Sequence, residues 1–244
     1  MTAEEINIPC GKYDWLWAWH DRGEKDKDSD KLAVMVHGFP GDHKSYGDVF
    51  EDLTAPFTAK GFHTLRFDMR GCGHSDKGST FFSFKTAAED CVTILQWAEK
   101  LGYKKLYLIA EGLGAPVVLT ILGDRIRPKV AGVVFLWPIL SVGESGLKKL
   151  VAGQPALFGP TFTGEVEGYN FTPLMPRLTM PTMVLCGSAD TMAPPETQAE
   201  ILKTHITGNN LEILTFEGGD HGLKTAVERD FLMKQIRAFI HKIS

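Results

Sequence analysis

Short, almost purely apolar segments alternate with longer amphipathic segments along most of this sequence, and this alternation restricts the chain to a small group of folds. Six apolar segments have the length and character of strands buried on both faces: residues 32–36, 64–67, 106–110, 130–137, 182–186 and 211–216. Between them, apolar side chains recur at helical spacing, for example over residues 87–101 and 231–243. The alternation predicts right-handed βαβ units and therefore an α/β fold with a mostly parallel sheet flanked by helices.

The segment that precedes these strands, residues 13–20, alternates Trp15, Trp17 and Trp19 with smaller residues. This period of two predicts an additional, antiparallel strand with one packed face. With 244 residues and 43% hydrophobic side chains, the chain is expected to form a single domain over residues 1–244. An insertion at about residues 138–178 is rich in glycine and proline, but its aromatic side chains indicate a packed segment and not a linker.

Composition excludes several classes of partner. A formal net charge of −4 without any cluster of Lys or Arg argues against nucleic acid. The first residues lack the basic start and apolar core of a signal peptide, and no apolar run approaches membrane-spanning length, so we expect a soluble, cytoplasmic protein without membrane insertion. Cys10, Cys72, Cys91 and Cys186 are scattered, which favours free thiols over a disulfide framework or a zinc site.

One strand end carries a recognisable turn. In open α/β sheets, ligands bind beyond the carboxyl ends of the strands, so the residues after each strand are the candidates for chemistry. The strand 106–110 runs through Ala110-Glu111-Gly112-Leu113-Gly114 into a helical segment. A strained strand-turn-helix that presents a nucleophile has the pattern Gly-x-Ser-x-Gly, with small flanking residues. Here Ala110 and Gly114 supply the small flanks, Gly112 occupies the apex, and Glu111 is expected to point away from it.

Three further strand ends carry glycines or ionisable groups. The segment His37-Gly38-Phe39-Pro40-Gly41 follows the first inner strand, and its glycines predict a sharp turn with exposed amide donors, of which the Phe39 N–H is the best candidate. Asp190 follows the strand 182–186, and His221 follows the strand 211–216. The order along the chain is therefore turn, acid, histidine.

With these motifs in this order, the sequence resembles the α/β-hydrolase superfamily, in the branch of small-lid esterases, lysophospholipase-like enzymes and serine aminopeptidase-like hydrolases. The resemblance covers essentially the whole chain and includes Asp-x-Arg-Gly-x-Gly-x-Ser at 68–75. It implies an α/β-hydrolase fold in which Asp190 orients His221. It also implies that the backbone N–H groups of Phe39 and Leu113 form an oxyanion hole.

The segment at 68–75 is expected to be structural. Asp68 and Arg70 are predicted to pair and brace this glycine-rich loop. His74 and Ser75 are adjacent in the chain, and adjacent residues seldom present both side chains to one reacting centre. A catalytic role for this pair is therefore not predicted.

Glycine at the apex decides the functional prediction. Gly112 has no side chain to be acylated, so the chain is predicted to be a carboxylic ester hydrolase scaffold that is inactive or strongly impaired. Three explanations stay open: a substitution made to give an inactive form, a natural pseudoenzyme that binds a small hydrophobic ligand or a protein partner, and a water in the vacated space that His221 activates directly.

The insertion carries the prediction about substrate. Trp137, Phe158, Phe162 and Phe171 are the candidates for an apolar acyl or aryl pocket, with anchoring of the insertion to the body as the alternative. The expected ligand is a small-molecule ester or a related acyl compound. No metal-binding cluster, dinucleotide fingerprint or phosphate loop is recognised, so no metal or other cofactor is predicted.

Overall fold

A mixed eight-stranded sheet forms the centre of the fold in the computed structural model of the chain, which describes residues 3–23, 28–122, 129–141, 147–168, 170–206 and 210–243. The strands are β1 Glu4–Cys10, β2 Asp14–Asp21, β3 Lys31–Val36, β4 His63–Phe67, β5 Lys105–Glu111, β6 Lys129–Leu136, β7 Thr182–Gly187 and β8 Leu211–Phe216. Their order in the sheet is β1-β2-β4-β3-β5-β6-β7-β8. Only the β1–β2 and β2–β4 pairs are antiparallel, and all later pairs are parallel. The predicted fold class is confirmed.

Seven α-helices are present within the described residues, six between strands and one after β8. They are α1 Val49–Thr58, α2 Phe84–Lys100, α3 Gly114–Ile121, α4 Leu147–Gly153, α5 Pro160–Gly168, α6 Pro195–His205 and α7 Ala226–Ile243. The start of α2 shows how local chemistry sets a boundary: the Ser83 hydroxyl accepts from the Thr86 N–H, and the Thr86 hydroxyl accepts from the Ser83 N–H. This reciprocal pair satisfies N–H groups that have no partner inside the helix.

Two apolar layers enclose the sheet, one on each face. One includes Ala33, Met35, Phe50 and Phe239, and the other includes Val34, Leu108 and Phe135. Alternate residues of β3 therefore belong to opposite layers, which is why an inner strand reads as an uninterrupted apolar run. Among the described residues, no helix has the length and apolarity needed to cross a membrane.

The structure corrects the sequence prediction at both edges of the sheet. β1 was not predicted, because its acidic start and Pro9 obscure the strand pattern. In the structure it pairs with β2 in the register Pro9↔Trp15. β8 was predicted to be buried on both faces. It is only partly buried, because it is an edge strand with β7 as its one neighbour. Edge strands are covered less completely than central strands. Their side chains are therefore less buried, and the apolar pattern of their sequence is weaker.

Candidate active site

The turn between β5 and α3 places Gly112 at its apex. Gly112 has φ +52°, in the left-handed region that disfavours side chains, and its carbonyl accepts from the N–H of Ile139 at 3.1 Å. Two residues later, a Cβ at Gly114 would clash with the Val36 carbonyl oxygen. Only glycine lets the start of α3 pack this closely against β3. The small flanks that the sequence shows therefore have a steric cause.

Asp190 and His221 come together at the same edge of the sheet. Asp190 follows β7, and its Oδ2 lies 2.8 Å from Nδ1 of His221, which follows β8. The other carboxylate oxygen accepts from the backbone N–H groups of Met192 at 2.8 Å and Ala193 at 2.9 Å, which fixes the carboxylate. Since an ionised carboxylate only accepts, Nδ1 of a neutral His221 carries the proton and Nε2 is left as an acceptor.

Nε2 of His221 faces the apex of the turn. A Cβ built on Gly112 would lie 4.0 Å from this nitrogen, and apart from the flanking residues no other described atom is within that distance. Because the Cβ–Oγ bond of serine is about 1.4 Å long, an Oγ directed at Nε2 would fall within hydrogen-bond reach, about 2.6–3.2 Å. The site therefore has the space for a serine side chain at position 112, with its hydroxyl directed at His221.

The loop after β3, which contains His37 and Phe39, lies against the turn between β5 and α3. Met69 N–H donates to Nε2 of His37 at 3.1 Å, so Nδ1 of that ring carries the proton that binds the Gly38 carbonyl at 2.6 Å. Phe39 and Leu113, the two residues predicted to supply oxyanion donors, line the same cavity as Gly112 and His221. Four of the five predicted catalytic and oxyanion residues thus line one cavity, and the fifth, Asp190, is hydrogen-bonded to His221 at its edge.

Glu111 links the turn to this loop. Its carboxylate accepts from the Gly38 N–H at 2.8 Å and from the indole N–H of Trp137 at 3.0 Å, and it also lines the cavity. The sequence prediction that Glu111 points away from the apex missed both contacts. A carboxylate with two fixed donors supports the neighbouring backbone, and the Gly38 N–H that it occupies is not free for a substrate.

The cavity has a volume of about 200 Å³ and is mainly apolar. Ile139, Leu147 and Leu150 of the segment between β6 and β7 cover one part, and Met192 contributes near His221. Leu147 and Leu150 are spaced by three residues on α4, a helical spacing that could have indicated them from the sequence. A larger groove of about 670 Å³ beside α6 is wide open, and none of the catalytic candidates lines it. The smaller cavity is therefore the candidate substrate site.

The four residues proposed from sequence as the substrate pocket lie elsewhere. Trp137 is fully buried and does not line the cavity. Phe158, Phe162 and Phe171 are equally buried in an aromatic cluster, and the Phe162 ring centroid lies 5.3 Å from that of Phe39. This cluster fastens the segment after β6 to the body of the protein, which was the alternative interpretation. A large aromatic ring buries more apolar surface when it is packed inside such a cluster than when it lines a cavity.

Neither Cys186 nor Ser188 is placed to act as a nucleophile in this cavity. Burial, with the negative charge of Asp190 adding to it, raises the pKa of Cys186 to about 12, so its thiol stays protonated. The Ser188 hydroxyl accepts from the Gly218 N–H at 2.8 Å, and it does not line the cavity.

The predicted pair of Asp68 and Arg70 is wrong. Arg70 binds Asp90 instead, with its Nε 2.6 Å from Oδ1, while Asp68 accepts from His43 and His74. Ser75 has a structural role, since its hydroxyl donates to the Asp68 carbonyl at 2.5 Å. The two acids thus divide the bracing of this loop between them.

A mostly parallel sheet with an acid, a histidine and a tight strand-to-helix turn at its carboxyl edge is typical of the α/β-hydrolase class. The family model for the alpha/beta hydrolase fold matches residues 33–154, and the chain belongs to this family. A Synechocystis sp. protein, provisionally named a non-heme chloroperoxidase, is 24% identical over 82% of this chain and 87% of its own length.

Solved structures share the fold. Est1E from Butyrivibrio proteoclasticus, solved with ferulic acid bound, superposes with a TM-score of 0.82 at 18% identity and covers 98% of both chains. The Pyrococcus furiosus esterase Pf2001 superposes with a TM-score of 0.76 at 18% identity and covers 99% of this chain and 91% of its own chain. Mouse alpha/beta hydrolase domain-containing protein 10 superposes with a TM-score of 0.78 at 17% identity and covers 99% of this chain and 100% of its own chain. At these identities the likeness concerns the fold.

Proposed function

We propose that this chain carries the active-site scaffold of a serine-type carboxylic ester hydrolase and that Gly112 stands where the nucleophile belongs. The observation that carries the proposal is the position of His221: its Nε2 faces the apex at 4.0 Å from a Cβ at Gly112, while its Nδ1 is held by Asp190. A neutral imidazole held in this way is a general base for a hydroxyl at the apex.

The roles of the other residues follow from acyl-transfer chemistry. The base would remove the proton of a serine hydroxyl as that oxygen attacks the ester carbonyl. The N–H groups of Phe39 and Leu113 would then stabilise the negative charge on the carbonyl oxygen. Gly112 offers no side-chain hydroxyl for the first step. Since loss of a catalytic serine lowers kcat by roughly a millionfold in a serine protease, the chain is inactive or strongly impaired as a hydrolase.

The proposed substrate class is a carboxylic ester of modest size with an apolar acyl or aryl group. The apolar cavity supports it, with Leu147 and Leu150 on its wall. The segment at about residues 138–178, which supplies α4 and α5, is proposed to act as a small lid. One fold neighbour, Pf2001, is named as an esterase, and another, Est1E, was solved with ferulic acid bound.

A binding protein without catalysis is the second candidate. Glycine relieves the strain that a side chain would suffer at φ +52°, while the cavity beside it keeps its volume of about 200 Å³. A site selected only to hold a small hydrophobic ligand or a protein partner needs the cavity and not the serine. Slow hydrolysis by a water that His221 activates is a third outcome, and it requires turnover by the unchanged chain.

We also propose a cytoplasmic location and no nucleic-acid partner. All four cysteines are free and buried, which suits a reducing compartment, and the formal net charge is −4.

Covalent labelling tests the proposed role of position 112. A Gly112→Ser variant is treated with a fluorophosphonate, and the labelled peptide is located by mass spectrometry. We expect one label on the new serine, which disappears in a Gly112→Ser/His221→Ala double variant. The matched control is Gly11→Ser, which also has positive φ and open space but lies outside the cavity. A folded Gly112→Ser variant that labels no faster than the control would contradict the proposal.

A further inference from the structure

A second cluster of ionisable side chains lies outside the candidate active site. His43 is in the loop after β3, while Asp68 and His74 belong to the loop after β4. β3 and β4 are parallel neighbours, so their carboxyl ends bring the two loops together. None of the three residues lines the cavity that contains Gly112 and His221. The cluster therefore needs a separate explanation.

Three potential ligand atoms converge in this cluster. Nδ1 of His43 lies 3.0 Å from Oδ1 of Asp68, and Nδ1 of His74 lies 3.3 Å from Oδ2. One ligand atom from each residue can be chosen so that all three lie within 4.8 Å of one another. In a tetrahedral zinc site with bonds of about 2.0–2.1 Å, neighbouring ligand atoms are about 3.3 Å apart. The two nitrogen–oxygen distances are close to this value, and the three chosen atoms lie within 4.8 Å, so the three residues are close enough to share one ion.

The carboxylate is held in place without the two imidazole rings. Oδ1 of Asp68 accepts from the His43 backbone N–H at 2.6 Å, and Oδ2 accepts from the His74 backbone N–H at 2.7 Å. Each oxygen keeps a second lone pair for an ion. The Asp68 side chain is completely buried, and buried ligands fixed by surrounding hydrogen bonds are typical of metal sites.

The imidazole rings differ in a way that suits a metal site with one open side. Trp19 stacks on His43 with ring centroids 3.4 Å apart, which fixes the orientation of this buried ring. The His74 side chain is 63% exposed, so an ion has a path from solvent and a position for a water ligand. Two imidazoles, one carboxylate and water are a ligand set that zinc accepts.

We propose that His43, Asp68 and His74 bind one zinc ion per chain. The ion would replace both ring N–H hydrogen bonds while the backbone N–H groups stay on the carboxylate. It would join the loop after β3, which contains Phe39, to the loop after β4. The expected role is structural, because the site is separate from the cavity.

Zinc binding to the full chain tests this proposal. Protein without an affinity tag is stripped with a chelator, exchanged into chelator-free buffer and titrated with zinc sulfate by calorimetry. We expect saturation at one ion per chain and a rise in Tm on binding, because an ion that binds only the folded state stabilises it. In His74→Ala, which removes an exposed ligand, affinity should fall at least tenfold.

The matched control is His241→Ala, which removes an exposed histidine near the end of α7. This variant should bind zinc like the unchanged chain, with the same stoichiometry and Tm shift. Magnesium, which prefers oxygen ligands, should produce neither effect. The proposal is overturned if the unchanged chain shows no saturable binding, or if a folded His74→Ala variant binds one zinc ion with unchanged affinity.

Discussion

The backbone at position 112 predicts how much stability a side chain there removes. Gly112 has φ +52°, a conformation that costs an ordinary residue about 1–2 kcal/mol relative to the right-handed region. A Cβ at this position meets only His221 Nε2, at 4.0 Å, so no steric penalty adds to the backbone cost. Gly112→Ala should therefore lower the free energy of unfolding by about 1–2 kcal/mol.

Two other glycines separate strain from space. Gly11 has φ +68° with open space around it, so Gly11→Ala should cost a similar amount. Gly153, the last residue of α4, also has open space but lies outside the left-handed region, so Gly153→Ala should be neutral or slightly stabilising. For a chain of this length, each 1 kcal/mol corresponds to a Tm shift of about 2–4 °C, so Gly112→Ala should lower Tm by about 2–8 °C.

Urea and thermal denaturation of the three variants provide the assay. If Gly112→Ala is as stable as Gly153→Ala, the turn does not hold the strained conformation of a nucleophile-bearing apex. A loss above roughly 4 kcal/mol would instead show that the space beside His221 is not open, because costs of that size come from clashes or cavities. Either result would refute the structural basis for placing a serine at this position.

Two further predictions concern the rest of the fold. Burial, with smaller effects of the Arg22 and His63 charges, lowers the pKa of His20 to about 4, so between pH 6.5 and 4 the unfolded chain binds more protons and stability falls as pH falls. Across this window, the free energy of unfolding measured in urea titrations should fall on the order of 3 kcal/mol more for the unchanged chain than for His20→Gln. Equal losses in the two proteins would contradict the lowered pKa of His20. Phe162→Ala, which opens the aromatic cluster, should cost about 3–5 kcal/mol in the same assay, whereas a cost below about 1 kcal/mol would contradict an anchoring role.

Features that depend on residues close together along the chain could be predicted from the sequence. The turn at Gly112 and the strand ends before Asp190 and His221 each depend on a few consecutive residues. Parallel strands then bring those ends to one edge of the sheet. The apolar periodicity of the inner strands and of α2 gave the fold class for the same reason.

Features set by packing between distant residues could not be predicted. The pairing of Asp68 with His43 depends on how two loops meet, and no local pattern contains that contact. The aromatic residues after β6 suit a cavity wall and a buried anchor equally well by composition. Their neighbours decide the outcome, and Phe162 packs on Phe39 and Phe82. β1 was obscured by a local cause, since Pro9 is tolerated on an edge strand but weakens its pattern.

Turnover of a simple ester tests the central claim most directly. The rate of hydrolysis of short p-nitrophenyl esters is compared for the unchanged chain, Gly112→Ser and Gly112→Ser/His221→Ala. The account predicts a gain of several orders of magnitude in kcat/KM for the serine variant and loss of that gain without His221. A folded serine variant that stays inactive towards a broad set of esters would contradict the account and favour the binding protein.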